Sequence, residues 1–220
     1  KGVPAALTMS ICMSLIRSAA AQSLSPSDIL ASVNKQLCEN NDSSQFVTVF
    51  LGMLNLKTGD MEYCLAGHLP PLITSLKSGL QELPLTGGMA LGLDPDFVYL
   101  SNTIQLNPDD QIVAFTDGVT EAENEVQNQY GEDSLKRLVS KMDQDPQHLC
   151  ESIVSDVTQF ANGTAQSDDL TLLIMKWTPQ QDYTIGKQLK VHFINDLSEL
   201  EKLQRVVEMY TEANELSTKV

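Results

Sequence analysis

Residues 46–116 constrain the fold most, because they form a succession of extended apolar runs separated by turn signals. Phe46 to Leu56 is nearly continuous and rich in Val and Phe, the pattern of a strand covered on both faces. Lys57-Thr58-Gly59-Asp60 is a hairpin signal, after which Met61, Tyr63 and Leu65 alternate with Glu62, Cys64 and Ala66. Pro70 to Leu76 and Leu80 to Leu83 flank a Lys77-Ser78-Gly79 turn, and Pro84 to Gly92 is a glycine-rich loop. Val98 to Leu106 and Gln111 to Thr116 are two more strands, joined by Asn107-Pro108-Asp109-Asp110. So many short connections predict antiparallel sheet.

Helical patterns lie on both sides of this block, which makes the class α+β. Val3, Leu7, Ile11, Leu15 and Ser18 recur at helical spacing, and Met9, Cys12, Met13 and Ile16 widen the apolar face. A helix so apolar, running to about Gln22, is expected to be buried. Ser25-Pro26-Ser27-Asp28 starts a second helix, with Ser25 as N-cap and Ile29, Leu30, Val33 and Leu37 as its inner stripe. Asn34 either faces a polar site or merely interrupts that stripe, and the second reading is favoured. Helices return at Gly131–Met142 and Pro146–Ala161, Asn162-Gly163 breaks the latter, and Asp168–Trp177 is a closing strand. Past a linker from Thr178, Leu189, Val191 and Phe193 alternate as a strand. Asp196 or Ser198 then caps a helix carrying Leu200, Leu203, Val206, Val207 and Tyr210. One strand and one helix are too little for a core of their own. That piece packs back on the main domain or opens a further one.

Charge excludes some partners. The 220 residues hold 14 Lys and Arg against 29 Asp and Glu, a net of −15. Phosphate backbones need clustered cations, so nucleic acid is a poor partner, and so is an anionic membrane. The acidic excess reads as a solvated surface, with some carboxylates available to hard cations. Val3–Ala21 is the longest apolar stretch, but Thr8, Ser10, Ser14, Arg17 and Ser18 interrupt it, so neither membrane insertion nor a signal peptide is expected. Cys12, Cys38, Cys64 and Cys150 form no CxxC pair and sit among apolar neighbours, as free thiols of a reducing, cytoplasmic compartment do. His68, His148 and His192 have no zinc spacing.

Two carboxylate sites are candidates for chemistry. Thr116-Asp117-Gly118 ends the apolar strand Ile112–Phe115, and Ser167-Asp168-Asp169 opens the strand from Leu170. Strand ends place side chains on a rigid rim, Gly118 lets a ligand approach the backbone, and oxygen donors suit Mg2+ and Mn2+. Taken singly, Asp-Gly is also an ordinary turn and Asp before a strand an ordinary cap. His68, before Pro70-Pro71, is a candidate general acid or a residue that shapes its turn. Gly87, Gly88 and Gly92 form no nucleotide-binding motif, and no Ser or Cys nucleophile has an evident base.

The order of the pieces goes further. Lys1-Gly2-Val3-Pro4-Ala5-Ala6-Leu7, Phe46-Val47-Thr48-Val49-Phe50, Ala66-Gly67-His68-Leu69-Pro70-Pro71-Leu72 and Ala90-Leu91-Gly92 come first. Phe115-Thr116-Asp117-Gly118-Val119-Thr120-Glu121-Ala122, Tyr130-Gly131 and Ser167-Asp168-Asp169-Leu170-Thr171-Leu172-Leu173 follow. This series closely resembles the SpoIIE/RsbU-type bacterial serine phosphatases of the PPM (type-2C) metal-dependent superfamily, over about residues 1–177. The resemblance implies an α-β-β-α sandwich of two mainly antiparallel sheets flanked by helices. It implies a two-metal Mn2+ or Mg2+ site whose activated water attacks phosphoserine or phosphothreonine, with no protein nucleophile. Asp117, Gly118 and Asp168 would form the metal site, with Asp169, Lys1, Gly2 and His68 near it. The implied substrate is a phosphorylated STAS-type anti-sigma-factor antagonist in partner-switching signalling, and an upstream sensor domain and a homodimer are further expectations.

The chain departs from the family pattern at its start. The family's bridging aspartate precedes the segment matched by Lys1-Gly2, so the expectation is an N-terminal truncation that lacks the first strands, exposes a sheet edge and leaves this chain inactive. The alternative is a phosphatase-like docking or relay module without catalysis. After a linker at 178–186, residues 187–220 resemble the first strand and helix of a GHKL-type anti-sigma-factor kinase domain; its ATP-binding asparagine would lie past Val220.

Overall fold

The computed structural model describes residues 3–22, 24–39, 45–141, 145–166, 168–179 and 191–194. Helices α1 (Val3–Ala20) and α2 (Pro26–Glu39) come first, followed by strands β1 (Val49–Leu54), β2 (Asp60–Ala66), β3 (Leu72–Ser75), β4 (Gly79–Glu82), β5 (Asn102–Gln105) and β6 (Gln111–Phe115). Helices α3 (Asp117–Thr120), α4 (Glu132–Val139) and α5 (Pro146–Ala161) precede β7 (Leu172–Lys176) and β8 (Val191–Ile194). The α+β class is borne out, with two antiparallel sheets. The chain divides into two compact units, Lys1–Pro70 with Glu82–Pro108, and Pro71–Gln81 with Asp109–Val220.

The first unit carries the sheet β1-β2-β5. Its β1–β2 hairpin forms at the expected turn. Asn55 Oδ1 accepts from the Lys57 and Thr58 amides, and Gly59 turns the chain at φ 79°. Helix α2 lies on this sheet and starts with a reciprocal cap: the Asp28 amide donates to Ser25 Oγ at 3.2 Å, and that hydroxyl donates to Asp28 Oδ2 at 2.6 Å. Ile29, Leu30, Val33 and Leu37 are buried with Cys64, Ala66, Leu91 and Tyr99. Each large aliphatic side chain so buried contributes about 1.5–3 kcal/mol.

Asn34 belongs to this buried stripe, contrary to the favoured expectation. Its Nδ2 donates to the Asp94 carbonyl at 2.7 Å and its Oδ1 accepts from the Gly92 amide at 2.8 Å. A buried amide is stable only where both ends find partners, and the Gly92–Asp94 loop supplies them.

Two further expectations need correction. Helix α1 is not buried all round, since Leu7, Met9 and Ile11 are more than half exposed and only Cys12 and Ala19 are buried among its described side chains. It packs alongside α2, and a helix laid on another helix covers one narrow stripe. Nor is β1 covered on both faces. It stands at the edge of its sheet with β2 as its partner, and Phe46, Met53 and Leu56 are exposed.

The second unit carries the sheet β4-β3-β6-β7-β8. Strands β5 and β6, expected as neighbours, lie in different sheets: β5 pairs with β2, and β6 with β3 and β7. The reason is partner quality. Five buried residues of β6 pair with five of β7 in the register Gln111↔Lys176 to Phe115↔Leu172, a longer buried ladder than a local hairpin offers. Helix α5 packs on β7, capped at its start by Asp145, whose carboxylate accepts from the His148 amide, and ended by Asn162 at φ 47°. Strand β8 lies beyond the expected linker and pairs antiparallel with β7. The helix expected from Asp196 or Ser198 lies outside the described residues.

The four cysteines are free, and burial pushes the Cys12 and Cys150 thiols up to about 11. No helix among the described residues is long and apolar enough to cross a membrane. Asn34→Leu removes both amide bonds that tie α2 to the Gly92–Asp94 loop. It is expected to lower unfolding free energy by about 1–3 kcal/mol, read from urea denaturation at unchanged m-value.

Candidate metal centre

The end of the β6–β7 ladder builds the site. The Thr116 amide donates to the Thr171 carbonyl at 3.1 Å, extending the strand register by one pair. The chain then turns into the short helix α3, and the Val119 amide takes the Thr116 carbonyl at 3.0 Å. With that carbonyl engaged, the Thr171 amide donates instead to Thr116 Oγ1 at 3.1 Å, and Thr116 Oγ1 donates to the Asp169 carbonyl at 3.3 Å.

Two residues on, Gly118 lies against the opposite chain. A Cβ built there would stand 2.3 Å from the Asp169 carbonyl oxygen and 3.3 Å from that of Asp168. Only glycine allows this approach. The contact sets Asp117 and Asp168, remote in sequence, on one rim, which neither motif alone could establish.

Both carboxylate residues are exposed. Asp117 Oδ1 accepts from the Gly118 amide at 2.9 Å, and Asp168 Oδ1 from the Asp169 amide at 2.8 Å. Each acid thus starts a turn at a strand end, with its first oxygen anchored on its own backbone. The segment after α3 is fastened as well. The Gly131 amide donates to the Thr120 carbonyl at 2.8 Å, and Tyr130 Oη donates to Asp156 Oδ2 at 2.6 Å. Burial, then the Asp156 carboxylate, pushes the Tyr130 phenol up and keeps it a donor.

The donor chemistry fits a hard cation. Mg2+ is commonly held by one or two carboxylates with waters and substrate phosphate filling the remaining positions. Among the described residues no group of three His, Cys, Asp or Glu converges. Asp117 and Asp168 offer two carboxylates of this kind on one rim.

The remaining expected site residues have separate roles. Asp169 uses its backbone carbonyl to receive Thr116 Oγ1, and its side chain is exposed. His68 belongs to the other unit, and its Nδ1 donates to the Leu69 carbonyl at 2.8 Å, so the ring shapes its own turn. That turn is clamped where the Gly67 amide donates to the Gly88 carbonyl, and Gly88 sits so close that a Cβ would stand 1.6 Å from the Leu65 oxygen. Lys1, Gly2 and Ser167 lie outside the described residues. Reading residues in sequence order gave Thr116 no role; the available signal was a residue of N-cap type between a buried strand and Asp-Gly.

Gly118→Ala is expected to force the two strand ends apart and to cost about 1–3 kcal/mol, measured as a lowered denaturant midpoint.

Known proteins are similar to this chain in sequence and in fold. The family described as Stage II sporulation protein E (SpoIIE) matches residues 1–178. Phosphoserine phosphatase RsbU of Bacillus subtilis (strain 168) is 30% identical over 176 residues, covering 80% of this chain and 52% of RsbU. The chain therefore spans about half the length of that relative. Among solved structures, the SiaA-PP2C domain of Pseudomonas aeruginosa is similar at a TM-score of 0.66 and 20% identity, over 79% of this chain and 69% of that one. The RsbU and RsbW domains of a Mycobacterium tuberculosis protein are similar at a TM-score of 0.63 and 24% identity, over 82% of this chain and 50% of that one. These likenesses carry the fold, and the match over residues 1–178 carries the family: this chain belongs to the SpoIIE family.

Proposed function

We propose that this chain is the phosphatase domain of a metal-dependent protein serine/threonine phosphatase. The single observation behind the proposal is the juxtaposition of Asp117 and Asp168, backed by Gly118, in a member of the SpoIIE family. The similarity to a phosphoserine phosphatase supports the same chemistry. Asp117 and Asp168 would hold Mn2+ or Mg2+, with further ligands from outside the described residues. A bound divalent ion supplies an acidified water and neutralises phosphoryl charge. The carboxylates orient that site and keep it open to a bulky substrate, since both are exposed. The substrate class is a phosphorylated regulatory protein of STAS type, in partner switching under an upstream sensor, with the domain acting as a homodimer. Free thiols suit a cytoplasmic setting. Residues 187–220 would begin a GHKL kinase-type domain, on the resemblance of their sequence to its first strand and helix.

A second reading, a docking or relay module without catalysis, is favoured by the absence of a three-acid cluster among the described residues. Mn2+-dependent hydrolysis of p-nitrophenyl phosphate and of a phosphoserine peptide separates the two. Under the phosphatase reading the full-length protein turns over both, and Asp117→Asn or Asp168→Asn lowers that rate about 100-fold or more with unchanged circular dichroism. Silence of the full-length protein across Mn2+ and Mg2+ would leave the docking reading.

A further inference from the structure

We infer that Thr116 is a positioning residue of the carboxylate rim, its hydroxyl fixing the separation of Asp117 and Asp168. The inference rests on the metal-dependent reading above. Three observations carry it.

The first is where the hydroxyl goes. Thr116 is the N-cap residue of α3, a place where threonine usually caps with its side chain, yet no side-chain cap bond forms. The hydroxyl is turned away from its own helix and onto the opposite strand end, accepting from the Thr171 amide at 3.1 Å and donating to the Asp169 carbonyl at 3.3 Å.

The second is why a side chain is required. A regular antiparallel pair would return the Thr171 amide to the Thr116 carbonyl. That carbonyl accepts from Val119 in the turn that starts α3, and the Thr171 amide goes to the hydroxyl. Without the hydroxyl, the Thr171 amide would have to share a carbonyl turned toward Val119.

The third is position. Thr116 and Gly118 flank Asp117, and both engage Asp169, the neighbour of Asp168. The two acids are therefore held from both sides of Asp117, by a hydrogen-bonding hydroxyl and by a backbone approach that only glycine permits. Gly118 permits the close approach and supplies no bond across it, whereas the Thr116 hydroxyl sets direction as well as distance.

Groups that orient metal-binding side chains change metal affinity by roughly 10–100-fold when removed. The test compares full-length wild type with Thr116→Val, Thr116→Ser and Asp117→Asn. Mn2+ affinity is read by electron paramagnetic resonance of the free ion, and Thr171 amide exchange is read in metal-free protein. Thr116→Val is expected to weaken Mn2+ binding about 10-fold and to speed Thr171 exchange, while Thr116→Ser stays within about twofold of wild type on both. Should the valine variant fail to fold, Thr116→Ala carries the same expectation. Wild-type Mn2+ affinity in Thr116→Val or Thr116→Ala, with Asp117→Asn impaired, overturns the positioning role and leaves the metal site standing. Equal weakening by Thr116→Ser and Thr116→Val also overturns it, since the serine keeps the hydroxyl. Undiminished Mn2+ binding in Asp117→Asn, or none in wild type, overturns the metal-dependent reading and this inference with it.

Discussion

The pairing of β6 with β7 is the constraint on which the candidate site depends. Five residues on each side meet in register from Gln111↔Lys176 to Phe115↔Leu172, and β6 is buried over its whole length. A one-residue slip would send every side chain of a strand to the wrong face. The burial of Ile112, Val113 and Phe115 therefore fixes the register, and the register in turn fixes which residues emerge at the strand ends. Thr116 with Asp117 emerges on one strand, and Asp168 to Thr171 precedes the other. The acids meet because apolar side chains elsewhere in the ladder have a single good alignment.

The rim itself is held by backbone contacts more than by burial. Asp117 and Asp168 are exposed, so neither bears the desolvation cost of a charge taken out of water. Each anchors one carboxylate oxygen on the next backbone amide. Rigidity comes from below, through the Thr116–Thr171 pairing and the close approach of Gly118 to Asp169. A site built this way is open to solvent and still geometrically defined. That combination would suit an ion of the kind proposed above.

Polar residues in the first unit follow the same logic. Asn34 looks in sequence like a break in an apolar stripe. In the fold it occupies that stripe and ties α2 to the Gly92–Asp94 loop through both ends of its amide. The partners are backbone groups about sixty residues away in sequence, and no local pattern signals them. Helix α1 shows the converse. Its composition is that of a buried helix, but it rests on α2, and its outward Leu7, Met9 and Ile11 remain exposed. Composition gives the apolar area of a helix, and only packing says how much of it finds a neighbour.

The sequence by itself determined the local elements and the class: the capped start of α2, the hairpin around Gly59, the limits of α5 from Pro146 to Asn162, and the grouping of strands between helices. These are properties of a few consecutive residues, where capping, turn geometry and periodicity act within reach of one another. It also marked Asp117 and Asp168 as candidates through the ordered motifs they belong to. Tertiary structure alone decided which strands share a sheet, sending β5 and β6 to different ones. It alone set the two acids on a common rim, kept His68 to its own turn, and gave the Thr116 hydroxyl a partner strand. Apart from the local His68–Leu69 bond, each of these outcomes rests on contacts between residues far apart in the chain, and no spacing within one motif encodes that choice.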